Sequence, residues 1–209
     1  MPAYTLAPTD TVIAPDGTIL YRIQYADGTL GGYLESTKNL DLSGNARVSG
    51  NAWVSGNARV SGDAQVSGNA RVYGDALVYG NALVYGNARV SGDAWVSGNA
   101  QVSGNAQVYG NARVSGDAWV SGDAQVSGDA WVSAPEHCFT AGPLGSRTAT
   151  LTVCRDSALG VSYATGCFFG SREAFLAAVE ATHGNSSFGN AYAAAIMLAD
   201  HIVPPYMPE

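Results

Sequence analysis

Basic residues are scarce in this chain of 209 residues: ten Lys and Arg stand against seventeen Asp and Glu, giving a formal net charge of −7. A protein that binds a nucleic acid polymer needs a basic surface, so the charge argues against that class of partner. Long apolar runs are also missing, since none approaches the roughly 20 residues that cross a bilayer. The first residues have neither the basic nor the apolar region of a secretory signal. We therefore expect a soluble cytoplasmic protein with no membrane partner.

Cysteine and histidine are also rare, with three residues of each type. An odd number of Cys argues against a disulfide framework. No pair among them has the short Cys-x-x-Cys or His-x3-His spacing of a zinc site, so we predict no metal and no cofactor. Cys167 lies just before a predicted helix and could be a thiolate activated by the helix end or by His183. The commoner role of such a cysteine is that of a small buried apolar residue.

A strict repeat fills residues 43–132, which read without a break as fifteen hexapeptides of the form Ser/Tyr-Gly-Asn/Asp-Ala-x-Val. In an extended chain alternate side chains point to opposite faces, so Ala and Val face inward and x faces outward. Gly and Asn or Asp between these units favour a corner. A helix is disfavoured because Gly at every sixth position would cost about 1 kcal/mol each time. The repeat predicts a solenoid of short strands.

The spacing resembles that of the left-handed parallel β-helix of hexapeptide-repeat proteins, in which a small residue follows an aliphatic residue by four positions. Val48 followed by Ala52, and Val54 followed by Ala58, match this register. In that family three hexads close one triangular coil, which implies about five coils here. The predicted fold class is mainly β: a left-handed parallel β-helix with an N-terminal β cap and a small C-terminal α+β domain. The fold does not fix an activity, because acyltransferases, ice binders and plain scaffolds share it.

Three hexads per coil would stack every third outward residue in a column on one side of the prism. One column contains Leu77, Trp95 and Trp131, with Tyr73 and Tyr109 at the corners beside it. Contiguous exposed aromatic and aliphatic residues often mark an interface. We therefore predict a homo-oligomer, with a trimer favoured. The alternative is that these large residues only cover the backbone of a narrow solenoid.

The flanking segments divide the chain into three parts. Residues 1–42 are predicted to form a β cap, because the end of a solenoid exposes its core and unpaired strand edges. Strand formers at 18–25, followed by an Asp-Gly turn, favour a hairpin there. Residues 43–133 are predicted to form the β-helix, and residues 134–209 are predicted to form a C-terminal α+β domain.

The C-terminal domain is predicted to contain both strands and helices. Strand formers occupy residues 148–155 and 160–165. A helix is predicted from Arg172 to about Thr182, with Ser171 as its N-cap, and a second helix over residues 190–202.

The order of short motifs in both flanks resembles that of hexapeptide-repeat proteins encoded by phages and prophages. These motifs include Leu30-Gly31-Gly32-Tyr33-Leu34 before the repeat, and Thr-Gly-Cys-Phe and His-Gly in the tail. The resemblance brings no catalytic residues with it. It implies a protein of the host cytoplasm that acts as a scaffold or binds a ligand.

Two Gly-Ser-Arg tripeptides mark a candidate anion site in the C-terminal domain. Ser146 and Arg147 precede the first predicted strand, while Ser171 and Arg172 open the first helix. A helix N-terminus together with Ser and Arg donors suits phosphate, so the two tripeptides would form an anion site if they converged. His183 is a further candidate, although it can simply complement the C-terminal end of the helix dipole. The alternative is an ordinary N-cap beside a solvated Arg.

These observations favour a non-enzymatic scaffold that presents its C-terminal domain for binding a small anionic ligand, with sequestration of a nucleotide signal of host defence as one such task. A virion-associated structural or receptor-recognition protein is the first alternative. A hexapeptide-repeat acyltransferase is the second, but none of the fifteen hexads contains the histidine that such enzymes use as a base. An ice-binding role is disfavoured because the outward columns mix Arg, Gln, Trp and Leu rather than repeating Thr.

Overall fold

The computed structural model describes residues 4–207. Within this range three longer strands come first, β1 Tyr4–Ile13, β2 Ile19–Tyr25 and β3 Leu30–Leu34, and each hexad then forms one strand of two residues. The hexad strands are β4 Arg47–Val48, β5 Trp53–Val54, β6 Arg59–Val60, β7 Gln65–Val66, β8 Arg71–Val72, β9 Leu77–Val78, β10 Leu83–Val84, β11 Arg89–Val90, β12 Trp95–Val96, β13 Gln101–Val102, β14 Gln107–Val108, β15 Arg113–Val114, β16 Trp119–Val120, β17 Gln125–Val126 and β18 Trp131–Val132.

Parallel pairing stacks these strands into a three-sided prism. Face 1 contains the stack that starts at Arg47, face 2 the stack that starts at Trp53, and face 3 the stack that starts at Arg59. Along each face a strand pairs with the strand three hexads later, so that Leu83 lies opposite Gln101. The stacks reproduce the three predicted columns, and the predicted fold class is confirmed.

The core of the prism is built from the two inward residues of each hexad. All fifteen repeat Ala and all fifteen repeat Val residues in the described range are 0–2% exposed. Because these side chains are small and repeat in register, the coils stack closely, and the outward residues take no part in the core. The core therefore leaves the outward positions free for surface chemistry.

Ladders of side-chain amides run along the corners of the prism. In one ladder Asn51, Asn69, Asn87 and Asn105 each donate an Nδ2–H to the Oδ1 of the residue 18 positions later, and the last acceptor is Asp123. An Asn can both donate and accept, whereas an ionised Asp can only accept. Asp is therefore suited to end a ladder.

The N-terminal cap is continuous with the prism. Strands β1, β2 and β3 form an antiparallel sheet, and β3 pairs in parallel with β5, which extends face 2. Leu40 forms a parallel bridge with Val60, so the structure has about six turns instead of the five that the hexads alone supply. The Tyr25 hydroxyl accepts from the Val48 N–H and donates to the Val48 carbonyl. These two bonds satisfy the backbone groups of Val48, on the first strand of the prism.

The C-terminal domain contains a four-stranded antiparallel sheet and two helices. Its elements are the 3₁₀ turn Pro135–His137, the strands β19 Cys138–Leu144, β20 Ala149–Asp156, β21 Gly160–Thr165 and β22 Phe168–Gly170, and the helices α1 Arg172–His183 and α2 Ser187–Ile202. Both predicted strands and both predicted helices are present, with α2 starting earlier than expected. Strands β19 and β22 were not predicted. Among residues 4–207, no helix is both long enough and apolar enough to cross a membrane.

Strand β20 lies between the last coil of the prism and the two helices. Leu151 and Val153 pack in the core of the C-terminal domain, while Cys154 packs against the core of the prism. The Gln125 N–H donates to Thr152 Oγ1 at 2.9 Å, and the Ser157 N–H donates to a carbonyl of the last coil. Successive residues of a strand point to opposite faces, so this strand closes the prism with one face and holds the helices with the other.

Candidate functional site

A cavity of about 350 Å³ opens on the C-terminal domain. Its walls come from the turn between β19 and β20, the turn between β21 and β22, the end of α1, and α2. Three of the five residues predicted to bind an anion, Ser146, Arg147 and His183, line this cavity. The structure therefore brings most of the first Gly-Ser-Arg tripeptide together with the histidine at the end of α1.

The turn that carries Ser146 and Arg147 has a strained backbone. Thr148 has a φ of 50°, and its N–H donates to the Gly145 carbonyl at 3.3 Å. A β-branched residue in the left-handed region is an outlier that costs on the order of 1–2 kcal/mol. Such strain persists only where surrounding contacts hold it, and it often occurs at binding sites.

One of those contacts is the close approach of the turn to α2. A Cβ atom added at Gly145 would lie 2.7 Å from the Tyr192 hydroxyl oxygen, so only glycine fits against this ring. Tyr192 is 6% exposed, and its ring stacks on His183 with the centroids 5.6 Å apart. The buried tyrosine thus fixes both the turn and the imidazole of His183.

The donors that face the cavity outnumber the acids. Among residues 4–207, no Asp or Glu lines it, while Arg147, Thr165 and His183 do. The Thr165 hydroxyl oxygen is buried and has no hydrogen-bond partner in the described residues. That oxygen is closed off from the cavity surface, so the donors that a ligand could reach are those of Ser146, Arg147 and His183. The exposed thiol of Cys167 lies in the same cavity.

The second Gly-Ser-Arg tripeptide lies elsewhere, so the two tripeptides do not converge. Ser171 Oγ accepts from the Ala174 N–H at 3.3 Å, as an ordinary N-cap. Arg172 forms an ion pair with Asp200 through two nitrogens, at 3.0 Å and 2.7 Å from Oδ2. These hydrogen bonds lower the pKa of Asp200, while burial and the bond to Asp200 raise the pKa of Tyr163. Arg172 therefore joins the two helices instead of facing the cavity.

The expectation that the cysteines form no disulfide is wrong for one pair. Cys138 and Cys154 are bonded to each other. They lie directly opposite across the antiparallel pair β19–β20, which explains why they meet. The sequence hid this pairing because β19 contains Gly-Pro and was not predicted as a strand. In the part of the chain that the structure describes, Cys167 is the free cysteine, and no three His, Cys, Asp or Glu residues form a metal site.

The predicted interface on face 3 is only partly open. Arg113 lies between Trp95 and Trp131, with its Cζ 4.7 Å and 5.5 Å from the two ring centroids. Trp131 also stacks on Tyr206 at 5.4 Å, so the end of the chain covers it. Tyr73 packs on Trp53 of face 2. Of the five predicted residues, Leu77, Trp95 and Tyr109 remain without an aromatic partner in the described chain; Trp95 is 38% exposed.

Two residues of the cavity were missed from the sequence. Thr165 ends β21 and Tyr192 lies in α2, and neither belongs to a recognisable motif. Their roles depend on how the strands and helices pack, which a single sequence does not display.

Comparison with known proteins supports the repeat architecture. The family described as YdcK Beta solenoid repeat matches residues 42–56, 52–68, 64–80, 82–98 and 106–122, which is less than half of the chain. No curated protein gave a significant match. The matched segments coincide with the stacked coils, and the chain is therefore a β-solenoid repeat protein.

Proposed function

We propose that this protein is a non-enzymatic β-solenoid scaffold whose C-terminal domain binds a small anionic ligand in the cavity beside Arg147. The observation that carries the proposal is the meeting of Ser146, Arg147 and His183 in one cavity without an acidic wall residue among residues 4–207. A guanidinium with hydroxyl donors suits phosphate or carboxylate oxygens.

Nucleotides are the first ligand class to test. The half-buried Phe168 ring lines the cavity that Arg147 also lines, and the volume of about 350 Å³ falls in the range of small-molecule sites. The resemblance to phage and prophage proteins makes a nucleotide signal of host defence a reasonable member of this class. Tight binding without turnover would remove such a signal from solution.

The test combines thermal stability with protection of the Cys167 thiol. Purified protein is heated with linear nucleotides, cyclic nucleotides or acetyl-CoA, and in parallel the rate of Cys167 modification by a thiol reagent is measured. A ligand at 100 times its Kd stabilises a two-state fold by about 2.7 kcal/mol, which a melting curve resolves. A bound ligand should also slow modification because the thiol lines the cavity.

Arg147→Gln is the diagnostic variant, and Arg59→Gln on face 3 is its control, since both side chains are exposed. We expect one nucleotide class to raise the melting temperature and protect Cys167, and both effects to disappear in Arg147→Gln alone. A response to acetyl-CoA alone, with product formed, would favour the acyltransferase. No response to any ligand would contradict the binding proposal and leave a structural role.

We also propose that copies of this chain associate through face 3 as a trimer. The support is the exposed Trp95 ring, which Tyr206 does not cover, next to the half-buried Leu77. Trp119 on face 1 is 60% exposed and provides a matched control. Light scattering should give a trimer for the wild type and for Trp119→Gln, and a smaller species for Trp95→Gln. A monomeric wild type would refute this.

A further inference from the structure

A second cavity, of about 240 Å³, lies between face 2 and the loop that joins β1 to β2. Pro15 and Asp16 of that loop form one wall. Trp53, Arg71 and Arg89 form the other wall, and they are consecutive members of the face 2 stack. This cavity lies at the opposite end of the solenoid from the C-terminal domain and shares none of its residues.

The two arginines place like charges side by side. Arg71 and Arg89 are in-register partners on neighbouring parallel strands, which are about 4.8 Å apart. Within residues 4–207, neither guanidinium has a salt bridge or a hydrogen bond to a carboxylate. Like charges opposite each other destabilise a sheet, so this pair has a cost that a bound anion would remove.

Aromatic rings complete the same wall. The rings of Trp53 and Tyr73 lie 5.7 Å apart at 34°, and the Arg71 Cζ lies 5.5 Å from the Trp53 centroid. The cavity thus has aromatic side chains next to two sets of guanidinium donors. A planar ring can pack against the aromatic side chains, and an oxyanion can bridge the guanidiniums.

We propose that this cavity binds a planar aromatic molecule that carries a phosphate group. The ring lies against Trp53 and Tyr73, and the phosphate oxygens accept hydrogen bonds from Arg71 and Arg89. The volume of about 240 Å³ suits a ligand of one or two fused rings with its phosphate. This proposal does not depend on the function proposed for the C-terminal domain.

Asp16 sets the charge balance of the site. Its Oδ1 accepts the Thr18 N–H at 3.0 Å, which fixes the tip of the β1–β2 loop. Asp16 lines the same cavity as Arg71 and Arg89, so its negative charge disfavours an anionic ligand there. Replacing Asp16 with Asn should keep the loop contact and tighten phosphate binding by roughly threefold at low ionic strength. A purely structural pair of arginines would show no such gain.

The test uses 1-naphthyl phosphate as the probe and calorimetry as the readout. The diagnostic variant is Arg71→Gln with Arg89→Gln, because Gln already occupies the next two positions of the same stack, at 107 and 125. Arg59→Gln on face 3 is the control for a lost surface charge, and Arg147→Gln removes the cation of the C-terminal cavity. Far-UV circular dichroism checks that each variant is folded.

We expect saturable binding of 1-naphthyl phosphate to the wild type, to Arg59→Gln and to Arg147→Gln. The double arginine variant should lose affinity at least about tenfold, since two charge-assisted contacts are removed. Inorganic phosphate should bind more weakly than the probe because it lacks the ring, and 1-naphthoate more weakly because it has one fewer charge. Absence of saturable binding, or equal affinity in the double variant, would overturn the proposal. Loss in Arg147→Gln alone would assign the ligand to the C-terminal cavity and would also overturn it.

Discussion

Two glycines of one corner column separate the cost of backbone conformation from the cost of crowding between coils. Gly104 and Gly122 occupy equivalent corners, with φ values of 67° and 65°. A Cβ atom at Gly104 would lie 2.8 Å from the Gly122 amide nitrogen and 2.9 Å from its carbonyl oxygen. A Cβ atom at Gly122 would meet nothing within 4 Å, because Gly122 belongs to the last coil.

Replacing each glycine with alanine therefore gives different losses of stability. In both variants the left-handed conformation costs about 1–2 kcal/mol, partly offset by about 0.4–1 kcal/mol from the stiffer unfolded chain. Gly104→Ala carries a further cost of about 1–3 kcal/mol because the added methyl presses on backbone atoms, which cannot rotate away. Only a shift between coils would relieve that contact.

Thermal unfolding followed by circular dichroism measures this difference. For a chain of this length 1 kcal/mol corresponds to a shift of about 2–4 °C in Tm, so Gly104→Ala should melt about 2–12 °C below Gly122→Ala. Unfolding of a solenoid can proceed coil by coil, so the same order of stability should be checked in urea. Equal Tm values for the two variants would refute the argument that contact between coils, in addition to φ, requires glycine.

Three further substitutions test the asparagine ladder, the contact of β20 with the last coil, and the ion pair between Arg172 and Asp200. Asn87→Asp removes the donor to Asn105 Oδ1 and should cost about 1 kcal/mol at pH 7, seen as a lower Tm that partly recovers when the carboxyl is protonated. Thr152→Val leaves the Gln125 N–H without its acceptor and should cost about 1–3 kcal/mol, with faster hydrogen exchange at that amide; unchanged exchange would contradict the contact. Asp200 has a lowered pKa in the folded protein, so its contribution is complete above about pH 3.9 and is lost as the pH falls through the folded value. The Tm gap between wild type and Asp200→Asn should therefore narrow in acid, and a constant gap would disagree with this assignment.

The sequence predicted some residues of the C-terminal cavity but not the contacts between distant segments that place them. The suitability of Ser146 and Arg147 as anion donors is a property of their side chains and can be read locally. That Arg172 pairs with Asp200 depends on how α1 and α2 pack, since 28 residues separate the two in sequence. The bonding of Cys138 to Cys154 likewise depends on a strand pairing that composition did not reveal.

The sequence by itself determined the prism. A period of six residues fixes which side chains face inward. Within the repeat each coil packs on coils with the same sequence pattern, so the pairing of Val48 with Val66 follows from the repeat itself. The tertiary structure alone decided what the non-repeating segments meet. It closes the last coil with β20, covers Trp131 with Tyr206 and places Asp16 opposite the paired arginines of face 2. These contacts join segments that are distant in the chain and obey no common period, so only packing in three dimensions selects them.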